Sequence, residues 1–413
     1  MTELDRLCRA EWGRLLSALI RDLGDIEFAE EALQDAFTAA VAQWSAGPPR
    51  NPRGWLYATA RHKAIDRMRR HVRFAGKVAA LGILAEREER LASALDEESA
   101  VPDERLRLIF TCCHPALAAE AQVALTLRTL SGLTTEEIAH AFLVAPATMA
   151  QRLVRAKAKI RQAAIPYLVP GEEDLPERLA AVMTVVYLVF NEGYAAAQGE
   201  ALVRRELCAE AIRLASLLRQ LLPSPDPELE TLLALMLLHD ARRETRVDHA
   251  RNLVLLADQD RSRWDRTQIE EGRELVQGAL RMGPPGPYAL EASIAAVHAE
   301  AARAEETDWR QIAALYERLR EVHPSPIVAL NHAAAVSMAE GPRAALPLVE
   351  ALERELGDYH LWHATRADLL RRLGRKEEAA RAYRRARELT ENEVERRFLA
   401  RRLEELQETE RGR

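Results

Sequence analysis

The sequence has few cysteines, few aromatic residues and no hydrophobic run long enough to span a membrane. Four cysteines in 413 residues do not make the disulfide framework of a small secreted domain. Aromatic residues make up only 5% of the chain and β-branched runs are scarce, which disfavours β-sheets. The longest apolar run, Leu179–Phe190, is shorter than the ~20 residues of a transmembrane helix, and the N-terminus lacks the segments of a signal peptide. We expect a soluble, cytoplasmic protein without membrane contact.

The composition favours helices throughout, because alanine, leucine, arginine and glutamate dominate. With 48% hydrophobic and 30% charged residues, the chain can bury a sizeable core. The net charge is −6, but residues 1–169 carry 23 basic and 21 acidic side chains, against 35 and 43 in the rest. Any nucleic-acid contact should therefore come from local patches in the first part. We predict an all-α protein with several domains.

Two helices and a linker are predicted in the first 105 residues. Apolar residues recur at helical spacing over 25–44, at Ala29, Leu33, Phe37, Val41 and Trp44. The segment 47–52, GPPRNP, breaks this helix, and a second helix runs from about 53 to 71. Residues 86–104 contain eight acidic and two basic side chains with little apolar periodicity. This stretch predicts an acidic linker.

The helix Arg53–Arg70 has one apolar and one charged side. The charged side carries Thr59, His62, Lys63, Asp66, Arg69 and Arg70, and Trp55 falls among them. A ring among cations suits single-stranded nucleic acid, because bases stack on the ring while cations follow the phosphates. The alternative is a solvated charged face with Trp55 packed on a neighbouring helix.

Residues 134–162 have the pattern of a helix-turn-helix. Thr134 and Glu137 predict a capping box at the start of one helix, and Pro146 is a favourable first-turn residue for the next. One face of this second helix carries Thr148, Gln151, Arg152, Arg155 and Lys159, and the opposite face carries Met149, Leu153, Ala156 and Ile160. Gln and Arg near the start of such a helix suit base readout in the major groove. A generic helical hairpin would also point its charges outward.

The last third of the chain is repetitive. Gly341 and Gly374 are 33 residues apart, each is followed by a helix with an Ala-Ala pair, and a turn near Thr307–Asp308 fits the same period. A period of about 34 is typical of tetratricopeptide repeats. We predict tetratricopeptide-like repeats over 306–413, preceded by a helical extension without a clear period over 169–305.

Two blocks together resemble the extracytoplasmic-function (group 4) sigma factors of bacterial RNA polymerase. AEEALQDAFTAAVAQW (29–44) and NPRGWLYATARHKAIDRMRR (51–70) are similar to the family's region 2, and LTLRTLSGLTTEEIAHAFLVAPATMAQRLVRAKAKIR (125–161) is similar to region 4. The whole chain resembles the subgroup with a long, helical, tetratricopeptide-like C-terminal extension. The resemblance implies region 2 over 1–80, an acidic linker over 81–105 and region 4 over 106–168.

The resemblance also implies a role for the polar residues of each helix. The single-stranded −10 element would contact Trp55, Arg61, His62, Lys63, Asp66, Arg69 and Arg70. The duplex −35 element would contact Thr148, Gln151, Arg152, Arg155 and Lys159. Core RNA polymerase would bind Glu31, Gln34, Asp35 and Trp44 through its β′ clamp, and the apolar face of region 4 through its β flap. The protein would be no enzyme and would need no cofactor or metal ion. His62 stands where the family commonly has asparagine, and Met149-Ala150-Gln151 replaces its usual Val-Lys-Ser.

Two rival functions remain open. A helix-turn-helix activator with a tetratricopeptide-like sensor explains the second block, although it has no need of the Trp55 face. An enzyme could use His239-Asp240, the pair that holds metal in HD-type phosphohydrolases, but further ligands are not evident at a convincing spacing. Cys112-Cys113-His114 favours buried packing and a helix end over a metal site. The C-terminal extension is expected to regulate or interact, through an unknown partner or within the chain, and truncation after Leu168 is expected to change activity.

Overall fold

The computed structural model describes residues 3–44, 47–75, 103–142, 144–195, 198–199, 203–250 and 252–411. Helices dominate this part of the chain, and the predicted all-α fold is confirmed. Most of the predicted acidic linker, 81–105, lies outside the described residues. The chain divides into two compact units, an N-terminal unit (Met1–Val185) and a C-terminal unit (Val186–Arg413). Within the described residues, no helix is long and apolar enough to cross a membrane.

The described part of the N-terminal unit is built from α-helices. They are α1 (Glu3–Leu23), α2 (Ile26–Gln43), α3 (Pro52–Ala75), α4 (Arg105–Cys112), α5 (Ala119–Leu130), α6 (Thr135–Ala141), α7 (Pro146–Gln162) and the first half of α8 (Leu175–Tyr194).

Helix α1 packs against several other helices of the N-terminal unit. It contacts α2, α3, α4 and α5, and its Leu15 and Leu16 are fully buried. Trp12 stacks on Phe37 of α2 with ring centroids 5.9 Å apart. A Cβ atom on Gly13 would lie 2.7 Å from the carbonyl oxygen of Leu130. Helices α1 and α5 therefore approach each other so closely that no side chain fits at position 13.

Local sequence signals determine the ends of the helices in this unit. The Asp25 carboxylate accepts hydrogen bonds from the amides at 27 and 28 and starts α2. The predicted capping box is confirmed, because Thr134 Oγ1 accepts from the Glu137 amide at 3.1 Å and Glu137 Oε2 accepts from the Thr134 amide at 2.8 Å. Pro146 is the first residue of α7, as predicted. One expectation was wrong: Val41 is 68% exposed, because the buried stripe of α2 ends at Ala40.

The C-terminal unit continues the helical pattern after the second half of α8. Its helices are α9 (Arg205–Leu221), α10 (Pro227–Asp240), α11 (Arg266–Leu280), α12 (Pro287–Glu300), α13 (Trp309–Val322), α14 (Pro326–Ala339), α15 (Pro342–Glu350), α16 (Glu353–Leu356), α17 (His360–Arg372), α18 (Lys376–Leu389) and α19 (Glu393–Arg411). Two short strands, β1 (Gln198–Gly199) and β2 (Glu391–Asn392), pair in parallel and are the small exception to the all-α prediction.

Helices of the C-terminal unit pack as neighbours in the chain. Helix α10 contacts α11 and α12, α13 contacts α14, and α17 contacts α18. Gly341 and Gly374, the two glycines of the predicted repeat, have φ values of 100° and 78° and each lies between two such helices. Both positions need a left-handed backbone that glycine adopts without strain. The 33-residue spacing thus has a conformational basis, whereas the tetratricopeptide assignment stays a prediction.

Candidate nucleic-acid interface

Helix α3 presents part of the predicted −10 surface to solvent. His62, Lys63 and Asp66 are exposed. Trp55 is half-buried, and its ring meets Trp44 edge-on with centroids 5.1 Å apart and an interplanar angle of 63°. The structure therefore shows the packing alternative for Trp55, with part of the side chain still accessible. Trp44, which was predicted to contact the polymerase, is half-buried in the same pair.

Arg61 is not on the exposed face where its proposed contact would place it. Its side chain is buried, with Nε 3.7 Å from the Asp22 carboxylate and the guanidinium 5.5 Å from the Tyr57 ring. The Tyr57 hydroxyl also donates to Asp22, and burial together with this bond raises the pKa of Tyr57. A carboxylate between α1 and α3 draws the cation inward, because a buried charge needs a partner. Arg69 and Arg70 lie in α3, but their side chains are outside the described residues.

The predicted polymerase-binding residues lie beside one arginine of α3. The Glu31 and Asp35 side chains are 55% and 43% exposed, and Arg67 donates to both carboxylates, to Asp35 at 3.0 Å. Gln34 lies one turn after Glu30 and donates to its carboxylate at 3.5 Å. This face of α2 is polar and accessible, although Arg67 already holds its carboxylates in place.

The predicted −35 face of α7 is solvent-exposed. Thr148, Gln151, Arg155 and Lys159 are all exposed and line a groove of about 400 Å³ beside the start of α5. The opposite residues Met149, Leu153 and Ala156 are buried, as the sequence predicts. Arg152 is 26% exposed and pairs at 2.8 Å with Glu120 of α5, which is 74% exposed. A DNA phosphate could compete with this exposed carboxylate for the guanidinium.

A buried carboxylate joins α2 to α5 and α7. Glu30 is only 5% exposed. Arg128 of α5 donates to its Oε1 at 2.5–2.6 Å, and Lys157 of α7 donates to its Oε2 at 2.5 Å. Nearby, Arg161 of α7 pairs with Glu27. We call Glu30, Arg128 and Lys157 the Glu30 clasp.

The charge of Glu30 depends on its two cations. Burial alone would raise the pKa of this carboxyl group, but Lys157 and Arg128 outweigh that effect and lower its pKa below the ordinary value. Glu30 is therefore ionised at neutral pH although it is enclosed. Removing either cation would leave an uncompensated charge between the helices.

The residues considered for metal binding or enzyme chemistry form ion pairs and hydrogen bonds with neighbouring side chains. The Asp240 carboxylate pairs with Arg243 at 2.9 Å, and His239 Nδ1 lies 3.1 Å from an Arg242 nitrogen. In the part of the chain that the structure describes, no group of three or more His, Cys, Asp or Glu residues could hold a metal ion. Cys112 and Cys113 are buried, lie 3.2 Å and 3.5 Å from threonine hydroxyls, and end α4. This agrees with the packing interpretation, and burial raises the pKa of both thiols to about 12.

Comparisons with known proteins divide the chain in the same way as these helices. Residues 9–74 match the model of sigma-70 region 2, and residues 107–160 match sigma-70 region 4. The two matches support a sigma-70 family sigma factor. Residues 178–280 match a family of unknown function, DUF6596. An uncharacterized protein of Rhizobium meliloti (strain 1021) is 45% identical over 394 residues, which is 95% of this chain and 93% of that protein. No solved structure matches the chain.

The sigma-70 assignment gives the two helical blocks their partners. Region 2 covers α1–α3 and region 4 covers α4–α7, so core RNA polymerase and promoter DNA are the implied partners of this sigma factor. The match to region 2 also argues against the rival activator, which needed only a helix-turn-helix. The Glu30 clasp is then a contact between region 2 and region 4.

The clasp is the feature of this sigma factor that the sequence analysis missed. In the sequence, Glu30 lies on the polar side of α2, and Lys157 is one of the basic residues of α7. At 100° per residue, Lys157 lies about 180° from Thr148 and thus on the side away from the −35 face. This angle could have shown that Lys157 does not belong to the −35 face. The buried partner of Lys157, Glu30, could not be known without the fold.

Proposed function

We propose that this protein is an extracytoplasmic-function (group 4) sigma factor that directs core RNA polymerase to specific promoters in the cytoplasm. The exposed face of α7 carries the proposal, because Gln151 and Arg155 are side chains that form bidentate hydrogen bonds with base edges in the major groove. Only residues 75–106 separate the two matched regions, a length that suits a connector rather than a further domain.

Helices α3 and α2 supply the other two contacts of the proposal. His62 and Lys63 would follow the phosphates of the −10 strand, and the accessible part of Trp55 would stack on a base. Glu31 and Asp35 would bind the β′ clamp through exposed carboxylates. Arg67 would orient both carboxylates for that contact. Arg61 would not contact DNA itself. Its buried side chain would hold Tyr57 and Asp22 in position beneath the exposed residues of α3.

In this proposal, regions 2 and 4 separate from each other before the protein binds both the −10 and the −35 element. Helix α2 packs against α3, and its Glu30 reaches α7. The packing of α2 on α3 and the Glu30–Lys157 ion pair together would keep α3 and α7 within about 25 Å of each other. The −10 and −35 elements are about 25 base pairs apart, or about 85 Å at 3.4 Å per base pair. One closed N-terminal unit cannot span that distance, so the Glu30 clasp would break when the polymerase binds.

The C-terminal unit is proposed to regulate this opening or to recruit a partner, since its helices pack mainly on neighbours in the chain, as in repeat proteins that bind partners. We choose Val185 for the truncation test, because the two compact units divide after this residue. The earlier position, Leu168, would remove Arg178, whose guanidinium donates to the Phe110 carbonyl at 2.6 Å in the N-terminal unit. Unchanged promoter activity of residues 1–185 would contradict a regulatory role.

The proposed function is tested by reconstitution with core RNA polymerase that lacks any sigma factor. Gel filtration should show comigration, and abortive initiation on genomic promoter fragments should depend on Gln151 and Arg155. Gln151→Ala and Arg155→Ala should each lose about 10-fold or more of promoter-specific activity. Arg281→Ala, which removes an exposed arginine of the C-terminal unit, is the matched control and should retain it.

The outcomes separate the candidate functions. Binding of core polymerase without specific initiation would contradict promoter reading by α7. Binding of duplex DNA without any binding of core polymerase would favour the activator. Binding of neither by the full chain, but of both by residues 1–185, would make the C-terminal unit an inhibitor.

A further inference from the structure

A cavity of about 440 Å³ lies inside the C-terminal unit. Its walls come from the second half of α8, from α10, α12, α13 and α14, and from the loop at Leu256. Small-molecule sites in proteins usually measure about 300–1,000 Å³. At about 30 Å³ per water molecule, the cavity has the volume of about 15 waters. It is therefore large enough for a metabolite rather than for a single solvent molecule.

Two opposite charges line this cavity without neutralising each other. Arg242 donates toward His239 Nδ1 at 3.1 Å, and Glu291 accepts a hydrogen bond from Tyr187 at 3.1 Å. Among the described residues, no carboxylate lies within 4.0 Å of the Arg242 nitrogens and no cationic side chain within 4.0 Å of the Glu291 oxygens. Tyr316 lies where both charges act on its hydroxyl. Leaving a charge without a counter-ion in an enclosed site is costly.

The environment of Glu291 disfavours its negative charge. Burial raises the pKa of this carboxyl group, and neither the hydrogen bond from Tyr187 nor the more distant His323 reverses the shift. An ammonium group beside Glu291 would stabilise its ionised form. The Tyr187 hydrogen bond holds the carboxylate in position, and the Tyr187 ring itself packs edge-on against Tyr288, with centroids 5.5 Å apart.

Two neutral imidazoles lie on the same cavity wall as Arg242. Burial and the nearby guanidinium lower the pKa of His239 well below its usual value and that of His298 to about 4. His239 Nδ1 faces Arg242, so a neutral ring carries its proton on Nε2 and can donate there. His298 Nδ1 is buried without a hydrogen-bond partner among the described residues, and Trp309 packs edge-on against its ring. Neutral donors beside a guanidinium suit a carboxylate.

We propose that this cavity binds a free α-amino acid with an apolar or aromatic side chain. Arg242 and His239 would hold its carboxylate, and Glu291 would hold its ammonium group. The apolar wall at Leu235, Ile294 and Leu319 would receive its side chain. A plain organic acid would leave Glu291 without a cation, and a plain amine would leave Arg242 without an anion. Only a zwitterion satisfies both groups.

The test is isothermal titration calorimetry of the full chain with six probes: L-leucine, L-isoleucine, L-methionine, L-phenylalanine, L-tyrosine and L-tryptophan. At least one should bind. Its deaminated acid and its decarboxylated amine should each bind at least 10-fold more weakly; for L-phenylalanine these are 3-phenylpropionate and 2-phenylethylamine. Absence of binding by all six would overturn the proposal. Equal binding of the plain acid would also overturn it and would indicate an organic-anion site.

Three variants locate the binding in the cavity. Glu291→Gln keeps an acceptor for Tyr187 and should weaken binding at least 10-fold. Arg242→Gln should do the same, while Arg281→Gln, an exposed arginine outside the cavity, should bind like the wild type. Thermal melts by circular dichroism show whether each variant is folded. A folded Glu291→Gln with wild-type affinity would overturn the proposal. The measurement needs no polymerase or DNA, so it is independent of the proposed promoter function.

Discussion

Glu30 and Lys157 are 127 residues apart in the sequence, yet their charged groups meet at 2.5 Å. One belongs to sigma-70 region 2 and the other to region 4. Their contact, with Arg128 as the third member, ties together the two regions that would have to separate on a promoter. The strength of this contact should therefore appear both in the stability of the free protein and in its binding to polymerase.

The first prediction concerns the carboxylate of the clasp. Glu30→Gln should lower the free energy of local opening by about 3 kcal/mol, because Arg128 and Lys157 lose their common counter-ion. Hydrogen exchange measured by mass spectrometry should show the lost protection in peptides from α5 and α7. Glu31→Gln is the matched control, since Glu31 is exposed and pairs with Arg67 at the surface; we expect a change below about 1 kcal/mol. Equal protection in both variants would show that the clasp does not hold the regions together.

The second prediction concerns the close approach of α1 to α5. Gly13→Ala should destabilise the N-terminal unit by about 1–3 kcal/mol, because the new methyl group would lie 2.7 Å from the Leu130 carbonyl oxygen. Gly171→Ala is the control, because a Cβ atom there meets nothing within 4 Å. Urea unfolding followed by circular dichroism compares the two variants. A Gly13→Ala protein as stable as the wild type would mean that α1 and α5 separate at little cost.

The third prediction is a pH dependence of the C-terminal unit. His298 has a pKa of about 4 in the folded protein and about 6.5 when unfolded, so the folded state favours the neutral ring. The resulting stability is complete above pH 6.5 and is lost as the pH falls from 6.5 toward 4, by up to about 3 kcal/mol. Urea unfolding at pH 7, 6, 5 and 4.5 should show a steeper loss in the wild type than in His298→Gln. The exposed His249→Gln should follow the wild type. Parallel curves for all three proteins would contradict the prediction.

The fourth prediction separates phosphate contacts from base contacts on α7. If Lys159 binds a phosphate, Lys159→Ala should weaken binding of every promoter alike and reduce the slope of log K against log salt by about 0.9. Gln151→Ala should instead relax discrimination at one base pair, by about 1–3 kcal/mol, with the salt slope unchanged. Affinities of the polymerase complex at 50–200 mM salt, on wild-type and singly altered promoters, distinguish the two. A uniform loss in Gln151→Ala would reassign that residue to the backbone.

Helix ends and exposed faces were predictable because they depend on nearby residues. The Asp25 cap, the Thr134–Glu137 capping box and Pro146 fix the ends of α2, α6 and α7 by local hydrogen bonds and backbone geometry. The buried stripe at Met149, Leu153 and Ala156 followed from the helical period. No helix was predicted over Glu3–Leu23, although α1 is central to the packing of its unit.

Buried polar contacts were not predictable, because their partners come from distant parts of the chain. Arg61 falls among the apolar residues of α3 at 100° per residue, but its buried partner Asp22 on α1 could not be inferred from the sequence. The pairing of Lys157 with Glu30 has the same origin. The ligand cavity needs residues from five helices and a loop, so no spacing within one segment could indicate it. These are the sites where tertiary packing decides the role of a residue.

The buried thiols at Cys112 and Cys113 make the core of region 4 measurable by chemistry. A thiol with a pKa of about 12 is almost entirely protonated at neutral pH and reacts poorly with alkylating reagents. Because both sulfur atoms are also shielded from water, a reagent reaches them when the helices around α4 part. The rate of alkylation therefore measures how often the fold opens spontaneously. Binding of polymerase, DNA or a metabolite would each change this rate.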